Sequence, residues 1–373
     1  MIFGPSPASA IPKPASWPIW LLLTVAAAVV GFWMHSQGLG YYLSMISRMM
    51  IYGLAACSLN LILGYGGLVS FGHAAFVGVG AYTVGILITE GVPNGWLGFG
   101  LAMAVSALLA LIIGAISLRT KGVYFIMITL AFAQMLFYLV NSVKAYGGDE
   151  GLNIKMRSDF GLGIMLKNDL HFFLLVLFLL VASLAFMHML MRSRMGRIVL
   201  AQRDDDIRTE ALGYPVYRYQ LALFVIAGAI GGLAGALLVN QQNYVSPNLM
   251  HWTQSGVLMI MVILGGVGTL AGGLWGALLM LTLEDLIAEI TPHFQFYVGW
   301  VLLAVVLLAP KGLSGLSDLW RRRRAPAAPQ GGPPRTRQPK SRFWTSAAWS
   351  SPSERCAPPT ASACRCGLER FTP

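Results

Sequence analysis

Charge is scarce in this chain. Lys, Arg, Asp and Glu make up 11% of its 373 residues, against about 25% in ordinary soluble domains. Cysteine occurs four times and histidine six. Each shortage excludes something. No Gly-Lys dipeptide occurs anywhere, so the phosphate-binding loop GxxxxGK[ST] is missing and with it the usual means of hydrolysing ATP. His35, His73, His171, His188, His251 and His293 form no His-Glu-x-x-His run, which removes the helical zinc-hydrolase motif. Cys57 lies within an apolar run, where a thiol serves as a small hydrophobe. Cys356, Cys364 and Cys366 have no histidine nearby at zinc-finger spacing. The chain is therefore expected to bind no metal and no cofactor of its own.

What remains is apolar: 56% of residues, arriving in runs of about 20, the length a helix needs to cross the hydrocarbon of a bilayer. The expected fold is all-α, a polytopic transmembrane bundle of about ten spans (eight to ten) in the lipid bilayer. Candidate spans are 17–34, 42–63, 68–89, 96–117, 122–140, 171–191, 219–240, 253–268, 271–290 and 296–310. The glycines at 265–268 and 272–273 break the run from 253 to 290, which reads either as two short spans or as a re-entrant hairpin plus a helix.

Positive charge orients the spans. The segment 192–218 carries Arg192, Arg194, Arg197, Arg203, Arg208 and Arg218 and is expected inside the cell. Counting outward puts Lys13, Arg119, Lys121, Lys311 and Arg321–Arg324 on the same side, with both termini cytoplasmic. The loops 35–41, 90–95, 241–252 and 291–295 then face out, and none contains Lys or Arg. The long outward loop 141–169 has four basic residues balanced by four acids, and Arg48 falls near the outer end of its span, where it either snorkels or marks a later start.

The formal charge of +11 belongs mostly to the end of the chain: residues 321–373 carry +9 and the other 320 only +2. Nucleic-acid binding is therefore not expected. The organisation expected is a cytoplasmic segment 1–16, a membrane domain 17–312 and a Pro-, Ala-, Ser- and Arg-rich tail 313–373 that lacks the apolar surface to fold alone.

Inside the membrane domain, small residues recur four apart. Ala227, Gly231 and Gly235 form one ridge and Gly228, Gly232 and Ala236 its neighbour, a spacing that lets helix backbones approach closely. Polar groups are rarer. Ser58, Asn60, Ser70 and His73 interrupt apolar sequence, with Gly64, Gly66, Gly67 and Gly72 between them. Such groups must find partners or line a wet path, so Asn60, Ser70 and His73 are candidates for the translocation path, a Gly-rich turn with capped helix ends being the other reading. Glu284, Asp285 and Glu289 sit in or beside the ninth span and are expected at the outer surface. Buried acids there would instead fit an ion- or proton-coupled secondary transporter.

The segment 192–218 mixes charge with apolar residues. Met195, Ile198 and Gln202, then Ile207, Ala211 and Leu212, recur at helical spacing until Gly213 and Pro215, which predicts a short amphipathic helix on the cytoplasmic face. Asp204–Asp206 argue against its lying on anionic lipid.

Here the residues resemble a family. Residues 60–82, NLILGYGGLVSFGHAAFVGVGAY, are similar to the signature of the branched-chain amino-acid ABC transporter permeases of the LivH/LivM type, and YGGDEGL at 146–152 points to the LivM branch. Glu210-Ala211-x-Gly213 after an Arg/Asp-rich run resembles the coupling loop of ABC importer permeases. The resemblance covers about residues 40–315; the tail departs from it. It implies a non-enzymatic permease of a bacterial inner membrane that works with two ABC ATPase subunits, a second homologous permease and a periplasmic solute-binding protein, ATP being used by the partners. Arg203, Asp204, Asp206, Glu210, Ala211 and Gly213 would then couple to the ATPase. The cargo implied is a branched-chain amino acid or a related small solute.

Overall fold

A computed structural model describes residues 28–29, 31–38, 40–154, 157–158 and 169–289, with isolated positions between 293 and 303. The expected segment 1–16, most of the spans 17–34 and 296–310, and the tail 313–373 lie outside the described residues.

Ten helices organise the described chain: α1 (Gly40–Asn60), α2 (His73–Thr89), α3 (Gly95–Ser117), α4 (Val123–Ser142), α5 (Asp169–Arg192), α6 (Arg194–Asp204), α7 (Asp206–Ala211), α8 (Val216–Gln242), α9 (Trp252–Gly265) and α10 (Gly272–Ala288). A π-helical turn, Leu61–Tyr65, continues α1 into one span of 26 residues. That span, α3, α4, α5 and α8 are long and apolar enough to cross a membrane; α2 and α9 are shorter apolar helices.

Contacts between loops sort the bundle into two ends. At one end Tyr146 reaches Glu90, Arg157 pairs with Asp169 at 3.0 Å, and Gln241 donates to the Ser44 carbonyl. There the strand β1 (Leu152–Asn153) also pairs antiparallel with β2 (Tyr244–Val245). At the other end Lys121 meets Asp206 at 2.9 Å and Tyr217 donates to the Ala115 carbonyl. Loops expected on one face thus meet one another, and the Arg157–Asp169 pair joins two of the balanced charges in the long loop 141–169.

The span containing α1 is 83% buried and α8 is 78% buried, against 22–39% for α3, α4 and α5. The first two are therefore the centre of the bundle and the others its periphery. The small-residue ridges of α8 explain how it reaches the centre, because they let the backbones of two neighbouring helices come close to it. Gly228 and Gly232 lie against Ala110 and Ser106 of α3, while Gly231 and Gly235 lie against His73 and Val77 of α2. A Cβ at Gly235 would fall on the Val77 carbonyl, so this helix pair exists only with glycine at that position. Phe76, Phe125 and Phe224 fill the space left over with edge-to-face contacts of 5.5 and 6.3 Å.

The broken run resolves into two helices. α9 and α10 lie antiparallel, so close that a side chain at Gly265 or Gly276 would strike the facing backbone. The turn between them uses positive φ at Gly266 (111°) and Gly268 (82°). α2 and α9 are short because both begin within the bundle. The Ala74 amide donates to Ser255 Oγ at 2.9 Å, joining their first turns, and Met250 of the 3₁₀ turn before α9 is buried against Gly78.

Candidate functional site

At the end of the bundle that carries the Lys121–Asp206 pair, two glycine-rich breaks meet: the π turn 61–65 and the turn 266–271. Asn60 joins them. Its Nδ2 donates to the Thr269 carbonyl at 2.6 Å, and its Oδ1 accepts from the Gly268 amide at 3.0 Å. The side chain is 1% exposed; it gives the Gly268 amide an acceptor and adds a second donor to the Thr269 carbonyl, which also accepts from the Gly272 amide at 3.0 Å. Glycine at 64 is needed for the approach, since a Cβ would come within 2.6 Å of the Gly268 nitrogen.

Arg203, in the last turn of α6, enters this junction. Its Nη1 donates to the Gly64 carbonyl, a group that the π turn leaves available, and its methylenes cover Gly67, which has φ +70°. A hydrogen bond from a charged donor contributes about 1.5–3 kcal/mol, and here it spans 139 residues of sequence. Beside it lies a cavity of about 120 Å³ lined by Leu63, Gly67, Val69 and Arg203.

The segment carrying Arg203 is two helices rather than one. α6 and α7 are separated at Asp205, whose extended backbone (φ −158°, ψ 103°) breaks the run and whose carboxylate caps α7 by accepting from the Arg208 amide at 3.1 Å. The periodic pattern hides this break because Met195, Ile198 and Gln202 and then Ile207 and Ala211 each fit their own helix. The inward face of α6 is Gly196, Val199 and Gln202. The apolar residues of α7 turn outward instead: Ile207 is 80% and Leu212 71% exposed, next to exposed Glu210, Ala211 and Gly213. Gly213 ends the segment at φ +88°. Asp204 is exposed, and Asp206 holds Lys121.

The polar residues of the first break do not converge on one site. His73 Nε2 lies 2.7 Å from Ser58 Oγ, which also donates to the Ala55 carbonyl at 2.7 Å. The serine has one proton, so His73 carries its own on Nε2 and donates it. This bond ties the start of α2 to α1. Ser70 Oγ accepts from the Gly72 amide at 3.3 Å, a local turn contact. Asn60 faces the α9–α10 turn. Ser255 was not singled out in the sequence, and Ser58 stood out only as a polar interruption, because serines within apolar helices carry no periodic signal; their cross-helix bonds distinguish them. Glu289 is exposed, and Glu284 and Asp285 are partly so.

With this geometry in place, known proteins can be compared. The family profile described as branched-chain amino acid transport system / permease component matches residues 41–310. The chain belongs to this permease family. Among its relatives, the high-affinity branched-chain amino acid transport system permease protein LivM of Salmonella typhimurium (strain LT2) is 28% identical over 318 residues, covering 79% of this chain and 74% of the relative. LivM of Escherichia coli (strain K12) is 27% identical over the same shares. LivH of Escherichia coli (strain K12) is 24% identical over 72% of this chain and 92% of the relative. LivM relatives are thus more similar to this permease than that LivH is. No solved structure gives a significant match. The matched residues 41–310 contain both glycine-rich breaks, α6 and α7, so the whole junction lies within the permease region of this multi-pass membrane protein.

Proposed function

We propose that the chain is the permease subunit of an ATP-driven ABC importer that carries branched-chain amino acids or related small solutes across the bacterial inner membrane. It has ten spans with both ends in the cytoplasm. Two ATPase subunits, a second homologous permease and a periplasmic solute-binding protein complete the machine, and ATP is hydrolysed only by the partners. The observation that carries this reading is the clasp of Arg203 on the Gly64 carbonyl. It links a charged segment between two spans directly to the place where two spans are broken.

In this reading the exposed face of α7, with Ile207, Glu210, Ala211 and Gly213, docks on an ATPase. Closure of the ATPase moves α6. Arg203 then pulls on the π turn, and the Asn60 bridge passes the displacement to the α9–α10 turn. Movement of paired breaks opens and closes the inner end, which is how a bistable packed element transmits a small shift.

The test is uptake of radiolabelled leucine into vesicles holding the complete transporter, with competing solutes to define the cargo. Arg203→Ala should keep ATP hydrolysis but cut uptake about tenfold, the loss expected when a charged hydrogen bond is removed, and Arg203→Lys should fall between. Normal uptake by Arg203→Ala, or labelling that places a cysteine at Glu210 outside the cell, would refute the reading.

A further inference from the structure

Arg48, Ile51, Tyr52 and Ala55 form one stripe along α1, spaced three and four apart. The last three line a small cleft with Val77 of α2, Leu238 of α8 and Gln254 and Leu258 of α9. Its volume is about 20 Å³, room for one or two methyl-sized groups. Tyr52 lies midway along its 26-residue span, so the cleft sits near the membrane midplane, where transporter sites are commonly built. The walls are apolar except for the Tyr52 hydroxyl and the Gln254 amide.

Two opposite charges stand one turn outward. The Arg48 guanidinium carbon is 5.9 Å from the centre of the Tyr52 ring, and the guanidinium hydrogen-bonds the Tyr52 side chain, while its buried Nε has no hydrogen-bond partner among the described residues. The second charge is Glu284. α10 runs antiparallel to α1, with Gly273 against Cys57 and Thr282 Oγ1 at 3.9 Å from Met49 Sδ. That register sets Glu284 about half a turn outward of Arg48, and Tyr52 lies within the electrostatic reach of both. Arg48 and Glu284 form no ion pair with each other in the described structure. Residues 17–27 and 304–310, membrane-spanning in the proposed topology and outside the described residues, contain no acid that could pair with Arg48. The starts of α2 and α9 also point here, since Ala74 and Gln254 line the cleft, and their positive dipole ends add to the field of Arg48. A cation at this depth with no ion pair among the described residues is costly and is kept where it has a task.

We propose that this cluster is a binding site for the zwitterion of a small aliphatic α-amino acid: Arg48 receives the carboxylate, Glu284 the ammonium, and the cleft the side chain. The proposal rests on the import role given above and assigns the part of the permease that touches the cargo. Opposite charges held apart, with an apolar recess between helices beside them, match a solute that carries both charges on one carbon and a short hydrocarbon branch. The small recess selects alkyl groups over aromatic rings.

The experiment measures binding of radiolabelled L-valine to the purified complete transporter without its binding protein. Valinamide, which lacks the carboxylate, and isovalerate, which lacks the ammonium, serve as competitors. Valine should bind, and each competitor should be about ten- to hundredfold weaker, the loss that follows from deleting one charged hydrogen-bonding group. Arg48→Gln should abolish valine's advantage over valinamide, Glu284→Gln its advantage over isovalerate, and Arg48→Lys should keep part of the first. Ala55→Val, which fills the recess, should weaken valine more than alanine. Gel filtration with the ATPase subunits reports which variants are assembled, and Arg48→Lys and Ala55→Val carry the test if Arg48→Gln is not. Unchanged valine binding by Arg48→Gln, equal competition by valinamide in the unaltered transporter, or no valine binding at all would overturn the site. In the last case, ATP-dependent import of another solute would leave the importer reading intact, whereas no ATP-dependent import would remove both.

Discussion

Three glycines in the membrane domain should respond in opposite directions to one added methyl. Alanine favours a helix over glycine by up to about 1 kcal/mol. Gly100 of α3 has nothing within 4 Å of the position its Cβ would take, so Gly100→Ala should keep that gain. At Gly231 the nearest atom, His73 Nε2, would be 3.4 Å away; this is ordinary contact, and Gly231→Ala should be close to neutral. At Gly235 the methyl would fall on the carbonyl oxygen and carbon of Val77. That obstacle is backbone, and it cannot rotate aside as a side chain would. α8 is also held on its other face by Ser106 and Ala110 of α3, so it has nowhere to retreat. Overpacking of this kind costs about 1–3 kcal/mol. Offset by the propensity gain, Gly235→Ala should lose up to about 2 kcal/mol, a factor of up to roughly thirty in the folding equilibrium. Unfolding in mixed micelles by increasing SDS, followed by helical circular dichroism, measures all three. A Gly235→Ala variant as stable as Gly100→Ala would refute the close approach of α8 and α2, and the central position of α8 with it.

Other outcomes follow from single contacts. Asn60→Leu leaves the Gly268 amide without its partner, at about 1–3 kcal/mol, while the Thr269 carbonyl keeps the Gly272 amide. In a background with Cys356, Cys364 and Cys366 changed to serine, maleimide should then label Cys57 at least about tenfold faster; an unchanged rate refutes the bridge. Ser58→Ala should destabilise by about 1–3 kcal/mol because it strands the His73 proton, whereas Ser58→Ala combined with His73→Phe should recover most of the loss, since removing both partners is nearly neutral. SDS unfolding of the single and double variants decides this, and additive losses would contradict the pair. Ile207→Ser with Leu212→Ser should leave stability within about 0.5 kcal/mol, as exposed positions do, while co-purification with the ATPase subunits falls. Retained co-purification would remove α7 from the docking face.

The membrane class, the helices and the alternation of loops were legible in the sequence because each rests on a local quantity. A run of apolar residues has the length of a bilayer, and charged residues gather in the segments between such runs. The family was legible too, through the string from Asn60 to Tyr82, since a glycine-rich break with fixed polar residues is a local pattern. The amphipathic reading of 192–218 found helices but not the Asp205 break, because periodicity reports faces and not the backbone dihedral of one residue. Tertiary structure alone decided what the polar groups do. Asn60, Ser70 and His73 look equivalent as polar letters in an apolar string. They separate into a bridge, a turn contact and an interhelical tie once the partners at Thr269, Gly72 and Ser58 are known. Arg203 is one of six arginines in its segment, and nothing local marks it as the one that reaches Gly64. Hydrogen-bond partners 139 and 209 residues away are set by how α1, α8 and α10 fit together. That fit depends on which glycine faces which backbone, a relation between distant residues that no window along the chain contains.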